Sequence, residues 1–231
     1  MNKIAIFYHV YQVGDWQNIF TQQIDRIKKS GLFDAAEFIH IGVNGTLPIF
    51  ETSEKIKIVR NLNIDHLAEM PTLKSLYNFC SEQCQETDQY NILFLHTSGV
   101  SWSAKFQTPE IKSIFDNKTL WRKYQEYFVI DKWRNCISLL NDYDCVSCEW
   151  KEEAILGGVE YPELKHYAGN IWWANSEYIK KLDWNFIQKN KNMERWYCEF
   201  LIGSGNPNHY SFYTSGRNLY YSPIYDQEFI S

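Results

Sequence analysis

The chain opens on an apolar run, Ile4-Ala5-Ile6-Phe7 inside KIAIFYHV, with no polar residue interleaved. Such continuity predicts a strand buried on both faces rather than one with a wet side. Asp15 then stands at an N-cap position, and Trp16, Ile19, Phe20, Ile24 and Ile27 recur at helical spacing. Lys28-Lys29-Ser30-Gly31 closes that helix with cations and a glycine. EFIHIGV, halted at Asn44-Gly45, and KIKIVRN predict two more strands, and Thr72 to Gln85 a helix. The stretch YNILFLHTSGVSW predicts a fourth strand whose apolar run stops abruptly at His96-Thr97-Ser98-Gly99. A long helix from about Thr119 to Leu140 and a strand at Cys145 to Trp150 follow. Strands alternating with helices predict an α/β fold, a three-layer α/β/α sandwich around a mostly parallel sheet.

The pattern changes after Trp150. KEEAILGGVEYPELKH reads as a polar loop, YAGNIWWAN as strand-like, and short helices are expected at 176–182 and 193–202. The turn-rich tail GSGNPNHYSFYTSGRN leaves room for one edge strand. With 231 residues, 45% hydrophobic and 22% charged, the chain fits one globular domain over 1–231, residues 1–150 forming one half and 151–231 the other.

Charge narrows the function classes. A net charge of −5 argues against a protein whose work is neutralising nucleic-acid phosphates. No window approaches the run of about eighteen apolar residues that a membrane span needs, and MNKIAIFYHV lacks a signal-peptide cleavage site, so a cytoplasmic location is expected. The six cysteines should then be reduced. Cys80 and Cys84 extend a buried helical stripe, and Cys145 and Cys148 fall on opposite faces of a predicted strand, a poor arrangement for a shared zinc.

In open α/β sheets ligands lie beyond the carboxyl ends of the strands. The residues there are Tyr8-His9-Val10-Tyr11, Asn44-Gly45, His96-Thr97-Ser98-Gly99 and Glu149-Trp150. Rings, hydroxyls, amides and glycines of this kind suit a heteroaromatic base, a ribose and a diphosphate. Neither a Walker A nor a GxGxxG motif is present, and HVYQVGDW holds a single glycine, which disfavours a P-loop or a Rossmann site. In HYAGNIWWAN, Gly169-Asn170 offers a backbone that approaches a sugar closely and an amide for its hydroxyls, while Trp172 or Trp173 offers an indole face. Neighbours on a strand face opposite sides, so one of the two indoles must point away.

Taken in order, IAIFYHVYQVGDW…IKKSGLFDAAEFIHIGVNG, NILFLHTSGVSW and HYAGNIWWANSEYIKKL resemble small GT-A-like glycosyltransferases of large algal viruses and some bacteria, including the viral rhamnosyltransferase domain. The resemblance covers almost the whole chain. It implies a single GT-A-like domain that binds a nucleotide diphosphate sugar, a UDP-sugar by analogy, and moves the sugar to a hydroxyl on a glycan or glycoprotein acceptor. It also implies donor contacts from the strand-end residues, with His166 to Asn170 facing donor sugar and acceptor. A catalytically silent nucleotide- or sugar-binding module of the same fold is the alternative.

Most such enzymes hold Mn²⁺ or Mg²⁺ on an Asp-x-Asp at the strand end where this chain has His96-Thr97-Ser98-Gly99. Its own DxD, Asp142-Tyr143-Asp144, precedes a strand and belongs at the wrong end of the sheet. His96 is therefore either a metal ligand or a direct partner of the diphosphate, unless it simply caps its strand. Transfer also needs a carboxylate near the anomeric carbon, as a base or as a stabiliser of an oxocarbenium-like centre. Glu149, Glu194 and Glu199 are the candidates, with Arg195 four residues before Glu199 on one helix face. The resemblance favours Glu199. Lys105, Arg122, Arg195 and Arg217 are the cations that could steady a departing diphosphate.

Overall fold

The N-terminal apolar run forms β1 (Lys3–Tyr11), an interior strand of a seven-stranded sheet. The structure is a computed structural model and describes residues 2–46, 53–62, 68–85, 87–105, 108–156, 158–186 and 197–230. After β1 come α1 (Trp16–Lys29), α2 (Leu32–Ala35), β2 (Phe38–Asn44), β3 (Ile56–Leu62), α3 (Met70–Gln83) and β4 (Tyr90–His96). Next are α4 (Val100–Ser103), α5 (Pro109–Glu126), a π-helical turn (Tyr127–Asp131), α6 (Trp133–Leu139) and β5 (Cys145–Ser147). The remainder holds β6 (Trp150–Lys151), β7 (Ala154–Leu156), β8 (Val159–Tyr161), β9 (His166–Tyr167), β10 (Trp172–Asn175), α7 (Ser176–Ile179), α8 (Tyr197–Phe200) and β11 (His209–Ser211).

The main sheet runs β11-β5-β10-β4-β1-β2-β3. Strands β3, β2, β1 and β4 are mutually parallel, as are β5 and β11, while β10 enters antiparallel between β4 and β5. This is the expected α/β architecture with a largely parallel sheet. Strand alternation divides the core. Ile6, Tyr8, Val10, Leu93 and Leu95 pack with α1 and the 129–140 segment on one face, and Phe7, Ile92 and Phe94 pack with α3 and α7 on the other. Helices thus cover both faces, which is what strands without a polar side require.

Three departures from the sequence expectations have local causes. The long helix starts at Pro109 rather than near Thr119, because Thr108 caps it by accepting from the Ile111 backbone N–H, with Pro109 in the first turn. It also changes to π geometry at Tyr127 before α6. The strand expected at Cys145 to Trp150 ends at Ser147, since Glu149 adopts φ 60° and turns the chain out of the sheet to pair Trp150 with Tyr167. The expected polar loop contains the β7–β8 hairpin. The edge strand foreseen in the tail is β11.

Of the helix expected at 193–202, residues 193–196, and with them Glu194 and Arg195, lie outside the described residues. All six cysteines are free and buried, and Cys145 and Cys148 sit in separate apolar clusters. The Asp144 carboxylate accepts from the Asn208 backbone N–H at 2.9 Å at the amino end of β5, a strand-entry clasp. No helix among the described residues is long and apolar enough to cross a membrane.

Candidate functional site

The strand directions decide where chemistry collects. Parallel β1 and β4 end together, with His9 level with His96. Strand β10 runs the opposite way, Trp172 opposite Phe94, so Gly169-Asn170 arrives at that same edge. Two segments 73 residues apart meet there: His96 Nε2 lies 2.9 Å from the Gly169 carbonyl. A cleft of about 480 Å³ opens at this edge, walled by His9, His96, Thr97, Ser98 and Gly99 from the strand ends. Glu69, Lys105, Lys118 and Glu199 also line it, with the rings of Tyr11, Trp102 and Tyr220.

His96 forms the floor. Its Nδ1 lies 3.2 Å from Glu69 Oε1 and its Nε2 faces the Gly169 carbonyl. Both neighbours are oxygens able to accept, and the ring is held between them. Glu69 is partly buried, its side chain 18% exposed. Burial works against its charge, yet the His96 and His9 rings and a hydrogen bond from the Cys198 thiol leave its pKa below the ordinary carboxyl value. His9 is bonded through Nδ1 to the Thr72 hydroxyl at 2.8 Å, and burial lowers its pKa to about 4, so it is neutral at pH 7. The Thr97 hydroxyl accepts from the Tyr11 N–H at 3.0 Å and the Thr97 N–H donates to the His9 carbonyl, tying the two strand ends. Gly99, at φ 92°, makes the turn into α4.

Lys118 is the group that the sequence reading missed. It is 7% exposed on α5, and its Nζ stands 3.7 Å from the Trp121 ring centroid and 5.1 Å from that of Tyr220. Burial lowers its pKa to about 8, although Glu199 and Glu69 both pull upward. The sequence did carry a signal. Ile114, Lys118, Trp121 and Gln125 follow one another at buried helical spacing, so a lysine occupies an apolar register position.

Several expected site residues lie elsewhere. Tyr8 has the opposite strand parity to His9 and Tyr11; it is buried against α1, donates to Gln23 and stacks on Phe20. Asn44 and Gly45 are at the same sheet edge but do not line the cleft; the Asn44 carbonyl accepts from the Gln12 N–H. His166 is buried against Phe200 and bonded to the Leu164 carbonyl, and burial lowers its pKa to about 4. Trp172 and Trp173 are both fully buried, on opposite faces, so neither indole offers a sugar platform. Trp172 instead donates to Asn170 Oδ1 at 2.9 Å, and Asn170 keeps φ 50° and an Nδ2 with no partner among the described residues.

Glu149 is completely buried away from the cleft. Its carboxylate accepts from the Ser215 N–H, the Tyr124 hydroxyl and the Lys151 ammonium, which makes it a clamp on the 213–215 segment. Arg122 is buried on Glu126 and Gln22, and Arg217 pairs with Glu228, so neither cation reaches the cleft. Lys105 does, from an exposed position beside Trp102.

The divalent metal implied by the resemblance can be tested against these groups. Both His96 nitrogens already face acceptors, Glu69 Oε1 and the Gly169 carbonyl. Glu69 Oε1 is already turned to His96 Nδ1 at 3.2 Å. No group of three or more His, Cys, Asp or Glu among the described residues is placed to hold a metal. The donor set around His96 is not one that Mn²⁺ or Mg²⁺ prefers, and no step is routed through a metal here.

Fold and site together define an open α/β protein with a strand-end cleft that gathers titratable groups, hydroxyls and rings. Residues 7–218 match a family described as a domain of unknown function, DUF8361, and the chain belongs to that family. No curated protein and no solved structure matches it.

Proposed function

We propose that the chain is a GT-A-like glycosyltransferase that moves a sugar from a nucleotide diphosphate sugar, by analogy a UDP-sugar, to a hydroxyl on a glycan or glycoprotein acceptor. The observation that carries the reading is the contact between His96 and the Gly169 carbonyl. It brings two of the segments on which the resemblance rests to one sheet edge, beside a cleft large enough for a small ligand, although Gly169 and Asn170 do not themselves line it. Tyr11, Trp102 and Tyr220 supply flat surfaces for a base, and the Ser98 hydroxyl, which has no partner among the described residues, a polar contact.

Glu199, on α8, is the cleft carboxylate not bound to His96, and it fills the acid–base role. In the transfer, the bond between the anomeric carbon and the diphosphate oxygen breaks, leaving its electron pair on that oxygen. The acceptor oxygen bonds to the anomeric carbon, and its proton passes to Glu199. Arg195 lies outside the described residues and is given no part.

The test is transfer or slow donor hydrolysis with UDP-, GDP- and dTDP-sugars, beside thermal melts with the same compounds. A ligand at a hundred times its Kd adds about 2.7 kcal/mol, roughly 5–11 °C at this chain length. Glu199→Gln should leave the melt shift in place and lower turnover by about 10²–10⁴. No shift with any of these nucleotides would remove the donor reading. The lack of paired carboxylates at the end of β4 favours a second reading, a silent nucleotide- or sugar-binding module. A clear shift without transfer or hydrolysis selects it.

A further inference from the structure

A buried ammonium normally has a carboxylate, a carbonyl or a hydroxyl to hold it. Lys118 makes no hydrogen bond and no ion pair among the described residues; the faces of Trp121 and Tyr220 are its near neighbours. It is nevertheless part of the cleft wall, beside Gly99, where a Cβ would stand 3.7 Å from the Lys118 Cβ. Its aliphatic stem is thus held against the turn that follows β4, and its charged end is left to whatever enters. A pKa of about 8 keeps it protonated at neutral pH, with Glu199 and Glu69 favouring the charge against burial.

The other groups of the cleft do less. His96 has both nitrogens engaged, and Lys105 is exposed at the rim, where solvent screens it. We propose that the Lys118 ammonium is the charge that receives the diphosphate of the donor, in the place that a divalent metal takes when strand-end carboxylates are present. This rests on the donor-cleft reading. When the anomeric bond breaks, the electron pair settles on a phosphate oxygen, and the ammonium stabilises that oxygen while keeping its own protons. A fixed charge in a dry wall needs no reorganisation at that moment, and the chain's own residues meet the requirement that the missing Asp-x-Asp leaves open.

The experiment is calorimetric titration of inorganic pyrophosphate, UDP and uridine into the protein in EDTA, with Lys118→Met, Lys118→Gln and Lys105→Met beside the wild type. Thermal melts establish that each variant is folded. The expected result is metal-free binding of pyrophosphate and UDP by the wild type, weakened at least tenfold in both Lys118 variants. Uridine affinity should stay within twofold, and Lys105→Met should change pyrophosphate binding less than threefold. A merely structural lysine would move uridine and pyrophosphate together. Pyrophosphate affinity unchanged in the Lys118 variants, or wild-type binding that appears only with Mn²⁺, overturns the assignment while the donor cleft stands. If UDP and uridine fail to bind but pyrophosphate binding still depends on Lys118, the donor reading fails and the anion site remains.

Discussion

Replacing Lys118 with Met should make the protein more stable at neutral pH. Methionine keeps the unbranched length of the lysine stem and fills irregular space well, so packing beside Gly99 and Trp121 should survive. What disappears is a buried charge. Burial takes the lysine from its ordinary value of 10.5 to about 8, and that displacement corresponds to about 3 kcal/mol held against the folded state. Loss of the cation's contact with the aromatic faces returns about 0.5–2 kcal/mol of it, so a net gain of about 1–3 kcal/mol is expected. For a chain of this size that raises Tm by roughly 2–12 °C.

The pH dependence carries the sign. Between pH 8 and 10.5 the unfolded wild-type chain holds a proton that the folded one has released, so wild-type stability rises through that window. The Met variant lacks this rise, and the difference between the two proteins should shrink toward zero by pH 10.5. Glu69, Glu199, His9, His96 and Lys105 face the same cleft in both proteins and largely cancel in the comparison. Urea melts of the pair at pH 7 and pH 10 measure it. A variant less stable than wild type at pH 7, or a gap equal at both pH values, would refute the assignment of Lys118 as a buried, charged and poorly compensated group.

Acid should unfold the protein in part through its buried histidines. His9 and His166 are held neutral, each near a pKa of about 4, so the stability they confer is present above 6.5 and is lost as pH falls through 4, by up to about 3 kcal/mol apiece; His166→Asn should flatten the fall in urea midpoints between pH 6.5 and 4.5. Glu149→Ala should cost about 1–3 kcal/mol chiefly by stranding the Ser215 N–H, the Tyr124 hydroxyl keeping the Tyr213 carbonyl, read in urea melts, and leave pyrophosphate affinity of the folded fraction unchanged. Gly169→Ala should cost about 1–3 kcal/mol, since φ is 91° and the new Cβ would meet Gln125 Oε1 at 2.6 Å; the displaced carbonyl would release His96 and weaken UDP binding in the same titration.

The sheet was legible because its signals are local. Apolar runs marked β1, β2 and β4, and the stops at Asn44 and His96 fell where the strands end, while β1 continues through Tyr8 to Tyr11, which the sequence had set beyond it. The gathering of His9, His96 and Gly169 at one edge followed from strand direction, once β10 was known to run antiparallel to β4. Which neighbour at each strand end faces the cleft was a matter of parity, and the sequence leaves parity open when both faces are apolar. Tyr8 failed on that point, since a side chain one position off is turned wholly into the opposite layer; Trp172 has the parity of His96 but is buried one step further in, stacked on Phe94. Glu149 failed for a different reason, because its φ of 60° takes the chain out of the sheet and spends the carboxylate on backbone that no strand pattern connects to it.

The residues that were overlooked show the complementary limit. Glu69 precedes α3 with no periodic signal of its own, and only the fold sets its carboxylate on His96. Lys118 resembled one more solvated lysine because the helix was expected to begin at Thr119; with the helix begun at Pro109, the same residue falls in line with Ile114, Trp121 and Gln125. The consequence reaches the chemistry. Under the proposed donor reading, an acidic strand end would bind its cation from solution, whereas a histidine strand end turned to Glu69 and Gly169 would leave the cation to come from the chain, and among the described residues Lys118 is the ammonium buried in that wall.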